Sequence, residues 1–184
     1  MMPYIQGDPE SVPEEYRAGY EDILSKVFFT SDDIGFLTID ESLVSAGNPH
    51  RGKRAKHERA LHTEAGISPN KLYTWGGGGW GRSHNVTLDG DVEVLLANSI
   101  DDSCATWNSI HKNTSLDGDI GGQADLYPYE NAIFMKAGEV HKVGIFTPHE
   151  SLPVAETTNR QFLRIISSGV YGREDHFTKN RLLS

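Results

Sequence analysis

Residues 131–146, NAIFMKAGEVHKVGIF, decide the predicted fold. Two short apolar runs, NAIFM and VHKVGIF, flank the turn-forming tripeptide KAG, which is the pattern of two strands joined by a tight turn. Similar runs recur from residue 71 onward, separated by turn formers; they are KLYTW, SHNVTL, VEVLLANS, CATWNSI and QFLRIIS. Many short strands at such intervals predict a mainly β domain, a sandwich or barrel over residues 60–170.

An N-terminal helix is expected to pack on this barrel. Ser11 followed by Glu14 forms a capping-box pattern, and Pro13 suits the first turn of a helix. Apolar residues then recur at helical spacing; they are Tyr16, Tyr20, Ile23, Leu24, Val27 and Phe28. The pattern predicts a helix over residues 11–29 with one apolar face. Residues 1–184 are expected to form a single domain.

Composition and charge narrow the class of protein. The chain is 37% hydrophobic and 23% charged, which is typical of a globular protein, and its formal net charge is −9. This charge repels nucleic-acid phosphate and anionic lipid, so we expect neither nucleic acid nor a membrane as a partner; the basic run at residues 51–59 is a local exception. A single cysteine, Cys104, with no signal peptide or long apolar span, favours a cytoplasmic location.

One pair of residues has the spacing of a metal site. Two histidines and one carboxylate on the same face hold a mononuclear non-haem iron ion and leave three positions open. Strand positions i and i+2 point to the same side, so His62 and Glu64 in LHTEAG supply two of these ligands. His84 in SHNV is the alternative, but valine at its i+2 position provides no carboxylate. Residues 51–65 also fit a helix, where such positions diverge by about 200° and cannot chelate one ion.

The third ligand is expected from the opening stretch or shortly after it. His141 begins the strand that returns from the KAG turn, so we expect it to face the barrel interior. His149 follows Pro148 in an apparent turn, where a histidine more often forms hydrogen bonds than binds a metal. His141 is therefore the preferred ligand, and His84 and His149 are held in reserve.

Residues 130–144, ENAIFMKAGEVHKVG, resemble the second motif of the cupins and equally the distal-histidine segment of Fe(II)/2-oxoglutarate dioxygenases. The resemblance extends over residues 130–167 and implies the double-stranded β-helix, a jelly-roll barrel that both families share. Within it, NRQFLRII resembles the dioxygenase strand whose arginine binds the far carboxylate of 2-oxoglutarate. By this resemblance Arg160 binds the cosubstrate, with Arg164 on the same strand face as the reserve.

The resemblance implies an oxygenase that uses Fe(II) and 2-oxoglutarate to hydroxylate a small molecule or a residue, with His62, Glu64 and His141 as metal ligands. Two features depart from the dioxygenase pattern. The carboxylate is glutamate rather than aspartate, and the run DVEVLLANSID, which resembles the strand after the His-x-Asp pair, lies nearer to His84 than to His62. If His84 is the true match, the site has a halogenase-like open position or holds no metal.

Two other classes of protein stay open. One is a cupin-type metal enzyme or small-molecule binder, and the other is a non-catalytic scaffold such as a phage accessory protein. The segments LHTEAG, LLANSIDDSCATW and TPHES also resemble parts of proteins from phages and marine bacteria. In the enzymatic cases, the four glycines at residues 76–79, between Trp75 and Trp80, are expected to form a lid that closes over the substrate.

Overall fold

The described part of the chain is mainly β. The computed structural model describes residues 1–27, 32–50, 57–67, 73–75, 84–89, 91–112, 118–171 and 177–183. Its strands are β1 (Met2–Ile5), β2 (Ile34–Val44), β3 (Ala65–Ile67), β4 (Tyr73–Trp75), β5 (His84–Leu88), β6 (Glu93–Asn98), β7 (Cys104–Thr106), β8 (Ile133–Phe134), β9 (His141–Gly144), β10 (His149–Ser151), β11 (Thr158–Ile166) and β12 (Val170–Tyr171). Its α-helices are α1 (Glu14–Arg17) and α2 (Glu21–Ser25).

The strands form three antiparallel sheets. The largest has the order β1-β2-β11-β6-β9, and the other two have the orders β10-β7-β8 and β12-β5-β4-β3. Strand β11 pairs with β2 from Thr158 opposite Val44 to Ile166 opposite Phe36, and its second half also pairs with β6. The second half of β11 therefore has its backbone hydrogen-bonded along both edges, which makes it a rigid support for side chains.

The two faces of β11 point into different surroundings because side chains alternate along a strand. Leu163 and Ile165 pack in an apolar cluster with residues of the N-terminal helices. Ile166 belongs instead to a cluster that contains side chains from all three sheets. Arg160 and Arg164 have the same parity as Ile166, so both lie on the face of β11 that points between the sheets.

A backbone pairing outside the named strands joins the segment before β3 to β10. The amide of His62 donates to the carbonyl of His149 at 3.0 Å, and the amide of His149 donates back to the carbonyl of His62 at 2.9 Å. His62 is also bridged to Asp119 on its other side. The His62 segment, residues 61–63, thus extends the sheet β10-β7-β8 by one short antiparallel partner.

Three apolar clusters stabilise this arrangement. The first, with members from all three sheets, contains Phe36, Ala65, Val86, Val92, Val94, Leu96, Cys104, Met135, Val143, Ile166 and Val170. The second joins the large sheet to the N-terminal helices and contains Met2, Tyr4, Val12, Tyr20, Leu24, Val27, Leu37, Leu95, Ala97, Leu163 and Ile165. The third lies beside β7 and contains Leu61, Ala105, Trp107, Ile120, Tyr127 and Leu152.

The predicted N-terminal helix is broken in the structure. A 3₁₀ turn at Pro9–Ser11 precedes α1, and α2 follows after an interruption at Gly19. Gly19 has φ of +87°, a left-handed conformation that ends a helix and that glycine adopts without the strain other residues incur. Residues 28–29, the predicted end of the helix, lie outside the described residues.

The mainly β prediction is confirmed, but the strands do not close into a barrel over residues 60–170 within the described part of the chain. They lie in three separate sheets, and β1 and β2 come from before residue 60. The predicted runs overlap β4 to β9 and β11. Among the described residues, no helix combines the length and apolar character needed to cross a membrane.

Candidate metal centre

His62, Glu64 and His149 converge between the sheets. One potential ligand atom from each lies within 4.8 Å of the others, and all three residues are buried. The backbone pairing of His62 with His149 places the two rings side by side, with centroids 4.0 Å apart. Glu64 reaches the same face because it is two positions from His62 along an extended chain. The cluster therefore follows from local strand geometry and one long-range pairing.

Hydrogen bonds to backbone carbonyls orient both imidazole rings. Nδ1 of His62 lies 2.8 Å from the carbonyl oxygen of Ala60, and Nδ1 of His149 lies 2.9 Å from that of Thr147. A carbonyl oxygen only accepts hydrogen bonds, so each Nδ1 must carry the hydrogen. This leaves Nε2 as the ligand atom of each neutral ring, the same arrangement that supports metal-bound histidines generally.

The two carboxylate oxygens of Glu64 face different partners. Oε1 lies 3.3 Å from Nε2 of His149. Oε2 accepts a hydrogen bond from Nη1 of Arg164 at 2.6 Å. Since both Glu64 and Arg164 are buried, water screens this ion pair little and the charges of the two residues balance each other.

The donor set fits a divalent metal ion. Two imidazole nitrogens and one carboxylate oxygen form the facial triad typical of non-haem Fe(II) sites. Ligand atoms at right angles and about 2.1 Å from one ion lie about 3 Å apart, so the 3.3 Å contact between Glu64 and His149 is close to what a shared ion requires.

The sequence-predicted pair His62 and Glu64 is brought together with the reserve histidine His149 rather than with His141. His141 lies on β9, opposite Leu96 of the large sheet, and its Nε2 is 3.3 Å from Oε2 of Glu139. His149 begins β10 and is not in a turn, because its backbone pairs with both Thr106 and His62. His149 rather than His141 joins the pair because β9 and β10 belong to different sheets. Of these two strands, β10 is the one that neighbours the His62 segment.

The other predicted residues lie elsewhere or outside the described residues. His84 pairs through its backbone with Trp75 between β5 and β4, and the side chains of both lie outside the description. Trp80 and the glycine run at residues 76–79 also lie outside the described residues, as do residues 51–56 of the basic run.

Arg160 is the most deeply buried arginine among the described residues. It is 1% exposed, and its guanidinium donates to Ser103 Oγ at 3.1 Å and to Ser151 Oγ at 3.1 Å. It also lies 2.9 Å from Cys104 Sγ, yet burial raises the pKa of that thiol overall, which keeps it protonated. Within the described part of the chain, no carboxylate forms an ion pair with Arg160, so its positive charge is met only by neutral acceptors.

Sequence reasoning missed the contact between Arg164 and Glu64. The two residues are 100 positions apart along the chain, so no local spacing could have indicated it. The available indication was the alternation of side chains along β11, which places Arg164 on the same inward face as Arg160.

Gly118 fixes the backbone between His62 and Glu64, and we predict that Gly118→Ala disturbs the candidate centre. The amide of Thr63 donates to the Gly118 carbonyl, and a Cβ at Gly118 would meet the Thr63 carbonyl oxygen at 2.1 Å. Gly47 is a matched control, because its φ of +76° resembles the +70° of Gly118 but nothing lies within 4 Å of a Cβ placed there.

We expect Gly47→Ala to lower the free energy of unfolding by about 1 kcal/mol through backbone strain alone. Gly118→Ala should lower it by about 1–3 kcal/mol more, because the added methyl group displaces Thr63. Urea denaturation measures both losses, and metal titration should show weaker binding for Gly118→Ala only. Equal losses in the two variants would contradict the close approach.

No protein-family model, curated protein or solved structure matches the chain. A functional assignment therefore depends on the geometry of the centre and on the arrangement of the sheets around it.

Proposed function

We propose that this protein is a non-haem Fe(II)/2-oxoglutarate-dependent oxygenase that hydroxylates a small molecule or a residue. The observation that carries the proposal is the buried triad of His62, Glu64 and His149, with both rings oriented through Nδ1. Two histidines and one carboxylate are the ligand set that leaves three positions of an iron ion open for other ligands.

The strand order supports a double-stranded β-helix around this triad. With the His62 segment counted beside its partner, the two layers are the five-stranded sheet β1-β2-β11-β6-β9 and the four-membered set His62 segment-β10-β7-β8. Strands β6, β9 and β11 belong to the first layer, and β7, β8 and β10 belong to the second. Along the chain from β6 to β11, consecutive strands therefore alternate between the two layers, except that β7 and β8 lie in the same one. Such alternation between two antiparallel layers that share a core is typical of a jelly roll.

Arg160 supports the choice of 2-oxoglutarate as cosubstrate. In the described part of the chain the buried Arg160 guanidinium is met by neutral acceptors, and such a cation is a site where an anion gains strong, charge-assisted hydrogen bonds. Arg160 also donates to Ser151, which is two residues beyond the ligand His149 on β10, so the cation lies on the same inner surface as the triad. In the proposed complex, a dicarboxylate places one carboxylate at Arg160 and directs the other toward the metal.

The protein's own contribution is to position the metal ligands and to exclude water from the site. When bound, iron together with 2-oxoglutarate supplies the oxidising chemistry that a C–H bond requires. His62, Glu64 and His149 hold one face of the site, and the hydrogen bonds of the two rings keep them from rotating. Burial of all three residues keeps bulk water from this face, which protects a reactive centre from side reactions.

Anaerobic titration tests the proposal. Purified protein is first titrated with Fe(II), and one ion per chain is expected. 2-Oxoglutarate is then added under nitrogen, and we expect a visible metal-to-ligand charge-transfer band. Metal binding without the band would favour the cupin-type enzyme or binder, and failure to bind any iron would favour the non-catalytic scaffold.

Arg160→Ala is expected to weaken 2-oxoglutarate binding by about 2–4 kcal/mol, because a buried charged contact is lost. The affinity is measured from the charge-transfer titration of the iron-loaded protein. Arg181→Ala is the matched control, since Arg181 is exposed and forms an ion pair with the surface residue Glu15. Unchanged affinity in Arg160→Ala would assign the contact to Arg164 or to no arginine.

A further inference from the structure

We infer that Arg164 is a positioning residue that holds Glu64 as a one-oxygen metal ligand and so keeps three positions of the metal open. The inference rests on the proposed function, because it concerns the same metal centre. It adds a role for Arg164 that differs from the cosubstrate contact predicted from the sequence.

The two carboxylate oxygens of Glu64 contact different residues. Oε2 is 2.6 Å from Nη1 of Arg164, whereas Oε1 is 3.3 Å from Nε2 of His149 and so faces the other ligands. A charge-assisted hydrogen bond this short and this deeply buried is among the stronger interactions available to a carboxylate. Arg164 therefore holds Oε2, and Oε1 is the oxygen on the side of the His149 ring.

Arg164 is itself held in place on several sides. Its backbone lies in the central strand β11, paired with Thr38 of β2 and Leu96 of β6. Its Nη2 lies 3.3 Å from Thr38 Oγ1 and 3.4 Å from the sulfur of Met1. Because the guanidinium cannot follow Glu64 freely, it restricts the carboxylate to one orientation.

The orientation of Glu64 decides how many positions of a six-coordinate ion stay open. Three protein ligand atoms would leave three positions of such an ion open, enough for a chelating 2-oxoglutarate and one further ligand. If both oxygens of Glu64 bound the metal, only two positions would be left and the chelate would fill the site. Removal of the Arg164 charge frees Oε2 for such two-oxygen binding.

The test compares Arg164→Met with Arg164→Lys in the full-length protein, after circular dichroism has confirmed the fold of each variant. We expect Arg164→Met to bind Fe(II) within tenfold of the wild-type affinity but to require at least tenfold more 2-oxoglutarate, with a weaker charge-transfer band. Arg164→Lys keeps a cation beside Oε2 and should recover most of the band.

An unchanged 2-oxoglutarate titration in Arg164→Met would overturn the inference, as would loss of iron binding by the folded variant. Neither result would affect the proposed function, provided that the wild-type protein binds iron and forms the band. Failure of the wild-type protein to do so would instead overturn the proposed function itself.

A second measurement needs no Arg164 variant. The infrared difference spectrum between iron-loaded and metal-free wild-type protein contains the carboxylate stretching bands of Glu64, which Glu64→Gln identifies by their loss. A wide separation between the antisymmetric and symmetric bands is expected for one-oxygen binding. A narrow separation would indicate two-oxygen binding and overturn the inference.

Discussion

His149→Ala abolishes stoichiometric Fe(II) binding, whereas His141→Ala leaves it intact; this is the largest effect we expect. His149 lies 3.3 Å from Glu64 and shares a backbone pairing with His62, so in the proposed centre its ring would supply one of three ligand atoms. His141 lies on β9 of the other sheet beside Glu139. Loss of a group that only orients a ligand costs about 10–100-fold in metal affinity, so loss of the ligand itself should exceed that range.

The measurement is iron content per chain after anaerobic loading and gel filtration, supported by a competition titration that gives the affinity. His62→Ala should behave like His149→Ala, because the two rings occupy equivalent positions on paired segments. If His141→Ala lost iron while His149→Ala kept it, the triad in the structure would not be the metal site.

Glu64→Leu is expected to destabilise the metal-free protein by about 3–5 kcal/mol, because Arg164 is left as an uncompensated buried charge. Arg164→Met should destabilise the protein by a similar amount, because Glu64 is then left as the uncompensated buried charge. The double variant Glu64→Leu/Arg164→Met should recover much of the loss, since apolar residues of similar volume often replace a buried ion pair at little cost. Urea denaturation with a chelator present measures all three free energies of unfolding.

The exposed pair of Glu15 and Arg181 is the control for this double-mutant cycle of Glu64 and Arg164. Its nitrogen and oxygen are 2.8 Å apart, but both side chains are largely in solvent. The coupling energy between these two residues should be below about 1 kcal/mol. A coupling between Glu64 and Arg164 that is equally small would show that their ion pair contributes little to the fold.

The longest strand was not predicted, and the reason is its burial pattern. Strand β2 has Phe36 in the cluster shared by all three sheets and Leu37 in the cluster under the N-terminal helices. Both faces are therefore apolar at this end of the strand, while its far half is mostly exposed. The alternation that marks a half-buried strand is absent, so periodicity could not reveal it.

The N-terminal helix was predicted as a single element because its apolar spacing continues across Gly19. Tyr20 and Leu24 do lie in the apolar cluster beneath α2, as that spacing implies. Local backbone geometry nevertheless separates α1 from α2, since Gly19 has φ of +87°. Periodicity identified Tyr20, Leu24 and Val27 as buried, but it also included Tyr16, which is exposed, and it did not identify where the helix is interrupted.

The sequence by itself determined that the protein is mainly β and where most of its short strands lie, and it predicted that His62 and Glu64 share a face if their segment is extended rather than helical. These properties depend on alternation and turn residues within a few positions of the chain. The tertiary structure alone decided that His149 rather than His141 joins this pair and that Arg164 binds Glu64. The physical reason is that both contacts arise from the pairing of strands far apart in the chain, which local spacing does not encode.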